Sequence, residues 1–242
     1  MSKIILLVFL VVAGTAVSLL TACTVIRGSG NLITESRSVS DFDRLDLSGS
    51  GKLILTQGET ERLTVETDDN VMEHIMTEVR SGTLHLGTDV RQGVVVDPTK
   101  LIFTLQVTNL NGLNVSGSGS VEAETMQTSS LDIDISGSGT AQIDTLTADR
   151  LRVDISGSSD VEIAGEVADA RIDISGSGNI DAGNLRSETV DITISGSGTA
   201  TAWATETLDV DLSGSSTVNY YGEPTVNSST SGSGTVNSLG GK

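Results

Sequence analysis

Through the second half of the chain, apolar and polar residues alternate in short runs, and each run ends at the same punctuation. The residue before the punctuation is Val115, Ile135, Ile155, Ile174, Ile194 or Leu212. Two residues earlier lie Leu113, Ile133, Val153, Ile172, Ile192 and Val210, and two earlier again lie Leu131, Leu151, Ala170, Val190 and Leu208. A period of two in β-branched residues predicts a strand with one buried face. The punctuation is a tetrad, Ser-Gly-Ser-Gly or Ser-Gly-Ser-Ser, beginning at Ser48, Ser116, Ser136, Ser156, Ser175, Ser195, Ser213 and Ser231. After it the alternation resumes with pairs such as Val121/Ala123, Val161/Ile163 and Val218/Tyr220. Each unit reads strand, Gly-Ser corner, strand, return loop, with glycine where the chain turns sharply or backbones approach closely.

From Ser116 the tetrads recur at steps of 20, 20, 19, 20, 18 and 18 residues. So steady a period predicts one supersecondary unit stacked on itself. No helix-length period interrupts the units, which disfavours a sheet built from βαβ crossovers. The prediction is an all-β chain folded as a parallel β-helix, or solenoid, with roughly 20-residue coils stacked about 4.8 Å apart. A β-sandwich is the alternative, but it does not demand so regular a repeat. The narrow core of stacked Val, Ile and Leu suits a chain with 2% aromatic residues.

Upstream of the regular repeat, strands are predicted at 32–36, 44–47, 52–56, 62–66, 83–86 and 101–108. Asp69-Asn70 followed by Val71, Met72, Ile75, Met76 and Val79 has helical spacing and predicts one short helix. Residues 87–100, with Pro98, read as a loop. The resulting organisation is a leader at 1–22, a lipidated cysteine and tether at 23–31, an irregular β-rich cap at 32–110, and the solenoid at 111–242. The break in pattern at Tyr220-Tyr221-Gly222-Glu223-Pro224 and the short final unit suit a C-terminal cap.

The leader begins Met1-Ser2-Lys3, runs apolar from Ile4, and ends Leu20-Thr21-Ala22-Cys23. A positive start, an apolar middle and small residues before a cut site make a secretory signal. Its end looks like a bacterial lipobox, and in lipoproteins that match it the cysteine is diacylated. Cys23 is the only cysteine, so no internal disulfide forms and lipidation explains its presence. An uncleaved membrane anchor is the alternative. Either way the expected place is the cell envelope, anchored to a membrane. Thr24 is not the aspartate that usually retains such lipoproteins at the inner membrane, which favours the outer membrane in an organism with two. The chain carries a net charge of −18. The leader holds one Lys and no acid, so its removal leaves 13 basic against 32 acidic side chains, net −19. That charge excludes nucleic acid as a partner and favours cations or basic surfaces.

Outward positions of the strands carry the candidate chemistry. Asn114, Asp134, Asp154, Asp173, Thr193 and Asp211 form one column, with Arg152 and Arg171 two residues before Asp154 and Asp173. The column reads as a solvated charge ladder; a divalent-cation site is the sharper alternative, although the calcium-binding Gly-Gly-x-Gly-x-Asp repeat is missing. The residue after each tetrad is a second column, from which Thr140, Asn179 and Thr199 are candidate contacts for a glycan or an envelope protein. Trp203, Tyr220 and Tyr221 are half of the six aromatics and form a candidate sugar-stacking cluster. His85, between Leu84 and Leu86, is expected on an exposed strand face, and His74 on a helix surface. No catalytic residue, cofactor or metal is assigned, and Gly117-Ser118-Gly119 sits between strands rather than at a nucleophile elbow.

With these residues in hand, the chain resembles the autotransporter adhesin head GIN domain family over roughly 37–239. The carriers are Val39-x-x-Phe42-x-x-Leu45-x-Leu47-Ser48-Gly49-Ser50-Gly51, the Asp69-Asn70-Val71 segment, and the repeated Leu/Ile-x-Ile-Ser-Gly-Ser-Gly. The resemblance implies an exported, often lipid-anchored β-helical protein and transfers no functional residues. The expected function is a non-catalytic envelope adhesin or scaffold. The alternatives are a polysaccharide-active β-helix enzyme, built from Asp132, Asp134, Arg152, Asp154, Arg171 and Asp173, and a self-assembling structural protein pairing through its strand edges. The oligomeric state is left open.

Overall fold

A computed structural model describes residues 24–89 and 94–242. The predicted alternation becomes two stacks of parallel strands joined at the Gly-Ser corners, in a β-solenoid of about six turns. One stack holds Thr83–Thr88, Arg44–Gly49, Gly112–Gly117 and Ser130–Gly137, then the later halves of Thr140–Gly157, Asp160–Gly176, Asn179–Gly196 and Thr199–Gly214, and last Thr225–Gly232. The other holds Leu101–Val107, Lys52–Gln57, Ser120–Gln127, the earlier halves of the same long strands, Thr217–Tyr221 and Thr235–Gly240. Like positions stack in register: Leu113, Ile133, Val153, Ile172, Ile192 and Val210 form one buried row.

The corner explains the tetrad. Its first glycine has φ between +93° and +136° in all eight units, a region that costs residues with a Cβ. From Gly117 to Gly232, a Cβ there would stand 2.1–2.8 Å from the carbonyl oxygen of the glycine one coil below. The following serine amide donates to that same oxygen, as in Ser138 N to Gly117 O and Ser158 N to Gly137 O, both 2.8 Å. Glycine is therefore required by conformation and by the approach of neighbouring coils at once.

The chain enters its stack one rung in. Ser48 pairs directly with Ser116, although 68 residues separate them. Between the two, the chain builds the outermost rung from Thr83–Thr88 and Leu101–Val107. Antiparallel strands cover both of its exposed edges, Ile75–Arg80 on one and Arg62–Asp68 with the earlier Leu32–Arg37 on the other. The outermost rung thus has both edges covered by antiparallel strands.

Two local readings change. The short helix shrinks to the 3₁₀ turn Met72–His74, and Ile75–Arg80 is a strand. Ser81 (φ 51°) and Gly82 (φ 78°) form a two-residue hairpin turn that returns the chain onto Thr83–Thr88. Asp69 and Asn70 serve the N-terminal segment instead of capping a helix: Asp69 accepts from Ser29 Oγ and Asn31 Nδ2, and Asn70 Nδ2 donates to Arg27 O. The expected loop also contains a strand, Val94–Asp97, which pairs in parallel with Thr24–Arg27 of the expected tether. A Val-Val-Val run suits a strand better than a loop.

Asp68 pins that pairing. Its buried carboxylate accepts from Gly30 N (2.7 Å), Thr99 N (2.8 Å) and Thr99 Oγ1 (2.6 Å). These bonds, the Thr99 hydroxyl foremost, hold its pKa below the ordinary carboxylate value against the opposing effect of burial. A depressed folded pKa contributes stability above the unfolded carboxylate value, and that stability is lost as pH falls through the folded value. Asp68→Asn is therefore expected to unprotect the Thr24–Arg27 amides at neutral pH, and acid that takes the carboxylate through its lowered pKa to do the same in the parent. Hydrogen exchange reads both; unchanged protection in Asp68→Asn would remove the pin.

Candidate binding surfaces

The two outward faces carry different chemistry. On the face after the corner, a shallow groove of about 460 Å³ runs across successive coils. Thr140, Asp160, Asn179 and Thr199 stack along it in register. Gln142, Glu162, Asp181 and Thr201 form its second column. Thr140, Asn179 and Thr199, expected from their fixed offset after the tetrad, are thereby brought together. Asn179 Nδ2 donates to Asp160 Oδ1 at 2.9 Å, which orients its carbonyl within the row.

The face before the corner bears the ladder. Asp134, Asp154, Asp173, Thr193 and Asp211 stack in register. Arg152 forks onto Asp154 through 2.6 and 3.1 Å bonds. Arg171 bonds Asp173 at 2.9 Å and reaches Asp191 at 3.5 Å. Both guanidiniums are held more firmly protonated by these bonds. Asp134 stands between Asn114 and Asp154 without an arginine on its own strand, and burial, then the neighbouring Asp154 charge, push its pKa up. A raised carboxylate pKa contributes stability at low pH that fades as pH rises through it. Arg152 and Arg171 offset part of the ladder's negative charge. Among the described residues, no group of three or more His, Cys, Asp or Glu side chains is placed to hold a metal.

His85 departs from its expected exposure. It is half-buried, in register with Asp46, with Nδ1 2.9 Å from Asp46 Oδ2. Ser48 Oγ donates to the Leu86 carbonyl rather than to the imidazole, so no hydroxyl–imidazole–carboxylate relay forms there. His74 is half-buried within the 3₁₀ turn, 3.7 Å from Glu73.

The aromatic trio divides. Trp203 and Tyr221 are neighbours on adjacent coils of the groove-bearing sheet. Tyr220, one residue out of phase, turns inward and packs against the core. Lys242, which sequence reasoning missed, lays its ammonium 5.3 Å from the Trp203 ring centre and 4.5 Å from that of Tyr221. The only hint of this corner was the fall in repeat length from 20 to 18 residues at Ser195. Cys23 and the leader lie outside the described residues.

Comparison with known proteins follows the same lines. A family model described as "Putative auto-transporter adhesin, head GIN domain" matches residues 41–224. The fold and sequence are similar to a solved "putative adhesin" from Bacteroides fragilis, with 33% identity and a TM-score of 0.83 over 88% of this chain and 100% of that one. A "Putative lipid binding protein" from Parabacteroides distasonis is 25% identical, TM-score 0.76, over 89% of this chain and all of its own. A "putative adhesin" from Parabacteroides merdae, 23% identical with a TM-score of 0.73 over 89% and 99% of the two chains, shares the fold. Among curated proteins none matches the chain.

Proposed function

The chain belongs to the auto-transporter adhesin head GIN domain family, and from that premise we propose a non-catalytic envelope adhesin, lipid-anchored through Cys23, that meets a glycan along the groove-bearing face. The observation that carries this reading is the in-register row Thr140, Asp160, Asn179, Thr199 lining an open groove. A row of hydroxyl, amide and carboxylate groups repeated at strand spacing offers an extended polyhydroxylated chain many modest hydrogen bonds. On the other face Asp154, Asp173 and Asp191 are engaged by Arg152 and Arg171, while Asp160, Glu162 and Asp181 belong to the groove itself. The leader pattern supports the anchor, and the outer membrane follows from Thr24 if the envelope has two membranes.

A glycan array probed with the detergent-solubilised full chain tests the reading. Binding is expected to fall roughly two- to fivefold for each of Thr140→Ala, Asn179→Ala and Thr199→Ala, because each removes a bond of modest net strength. Binding unaffected by all three would move the contact elsewhere, and turnover of a bound polysaccharide would restore the enzyme alternative. Cys23→Ala is expected to abolish incorporation of labelled palmitate; continued labelling would refute the lipidation.

Self-assembly is a second reading, favoured by one observation. Thr225–Gly232 and Thr235–Gly240 pair only inward, to Thr199–Gly214 and Thr217–Tyr221 among the described residues. Residues 225–242 hold no acid and a single Lys, in a chain of net charge −18. Open edges are normally guarded by charge, so this end is where two acidic copies meet with least repulsion. Sedimentation of the full chain is expected to show a dimer that Asn227→Lys with Asn237→Lys dissociates; a monomer at all concentrations would sink it.

A further inference from the structure

The solenoid shortens by two residues past Ser195, and the change builds a site. The tetrad step is 20 residues from Ser175 to Ser195 and 18 from Ser195 to Ser213. The longer coil overhangs the shorter one. Ala182 pairs with Ala202, but the next pair is Arg186 with Trp203, so Gly183, Asn184 and Leu185 have no partner in the coil above. Leu185 turns into the core. Gly183 and Asn184 form a lip beside the aromatic pair, and a Cβ on Gly183 would stand 3.3 Å from Tyr221 Cε2.

Two ring faces and two oxygen acceptors converge under this lip. Lys242 Nζ sits over Trp203 and Tyr221, donates to the Gly183 carbonyl, and donates to Asn184 Oδ1 at 2.7 Å. Arg186, in register beneath Trp203, is held away by Glu166 at 2.7 Å. The site thus matches the needs of an ammonium with N–H groups: π faces for the charge and acceptors for the donors. A quaternary ammonium would use only the rings. A sugar would have to displace the cation first.

We propose that this corner is a recognition site for a lysine side chain, and that Lys242 fills it until a partner's lysine replaces it. The acidic surface concentrates basic partners around the site. The tethered occupant sets a threshold, so only a partner presenting lysine at high local concentration enters. The site shares the sheet face of the proposed glycan groove but none of its residues, and it stands whether or not that groove binds sugar.

Trp203 is the sole tryptophan, so its emission reports the site directly. Full-length chain in detergent is titrated with n-butylammonium chloride, a mimic of the lysine head, at constant ionic strength. In Lys242→Ala a saturable emission change is expected, with half-saturation on the order of 1–10 mM. The parent is expected to need at least about fivefold more because the tethered lysine competes. Tetramethylammonium is expected to bind several-fold more weakly, and Tyr221→Ala in the Lys242→Ala background to abolish saturation. No saturable response in a Lys242→Ala chain that melts like the parent would overturn the proposal, as would equal responses to the two ammonium ions. Lys242→Gln, which keeps much of the aliphatic stem, is titrated as a second variant and is held to the same outcomes.

Discussion

Gly157→Ala is expected to destabilise the solenoid by on the order of 3–5 kcal/mol, more than removal of most core methyl groups. Two independent penalties meet at this position. Its φ of +128° is costly for any residue with a Cβ. The new carbon would also stand 2.2 Å from the Gly137 carbonyl oxygen and 3.1 Å from the Gly137 nitrogen. Both neighbours are backbone, so no side chain can swing aside. Relief requires separating the coils at the corner, which breaks the 2.8 Å bond from Ser158 N to Gly137 O. The control is Ser158→Ala, one residue on, where the exposed side chain leaves stability within about 0.5 kcal/mol. Ser159→Gly is also expected to be mild, since six of the eight tetrads carry glycine at the fourth position, although it removes the Ser159 Oγ bond to Gly137 O. Urea unfolding followed by circular dichroism separates the three variants. A Gly157→Ala shift equivalent to less than about 1 kcal/mol would mean the corner is more pliable than its geometry implies.

The same geometry explains which features were readable in advance. Strand register and coil length are written locally: period two within a strand, a period near 20 between tetrads, and a corner that tolerates no substitute for its first glycine. Thr140, Asn179 and Thr199 fall together because their offset from the corner is constant. The order of the first rungs is not written locally. Nothing near Ser48 says that its partner is Ser116, because the intervening residues are spent building the outermost rung and covering its edges. The helix over Val71 to Val79 was misread because its apolar spacing also fits a turn followed by a strand. Ser81-Gly82 was the contrary signal. Parity already separated Tyr220 from Tyr221, since Tyr220 lies two residues after the buried Val218. The lysine site was out of reach, because it joins Gly183 to Lys242 across a step that only stacking reveals.

Phe103→Ala is expected to cost roughly 3–5 kcal/mol, and the loss should stay at one end of the molecule. Phe103 is fully buried, in register between Leu53 of the second rung and Val65 of the covering strand. Coils farther along fill their interior mostly with Val, Ile, Leu and Ala, with Met126 among them, and bury no phenylalanine. The outermost rung lacks a coil beneath it, and the large ring fills the gap that the covering strands leave. Its neighbour Gly51 confirms the fit, since a Cβ there would meet Phe103 Cε2 at 3.0 Å. In a solenoid each coil draws stability chiefly from its immediate neighbours, so damage spreads only as far as that coupling reaches. Amides in 32–107 should therefore exchange faster in the variant, while those in 140–214 keep their protection. Denaturation should then show an early transition for the covered end ahead of the main one. A single transition at a lower midpoint, with uniform loss of protection, would show instead that the covered end is coupled to every coil. Gly157→Ala, acting in the middle of the stack, should conversely weaken the coils on both sides of it, and the two variants together measure how far along the axis one coil feels another.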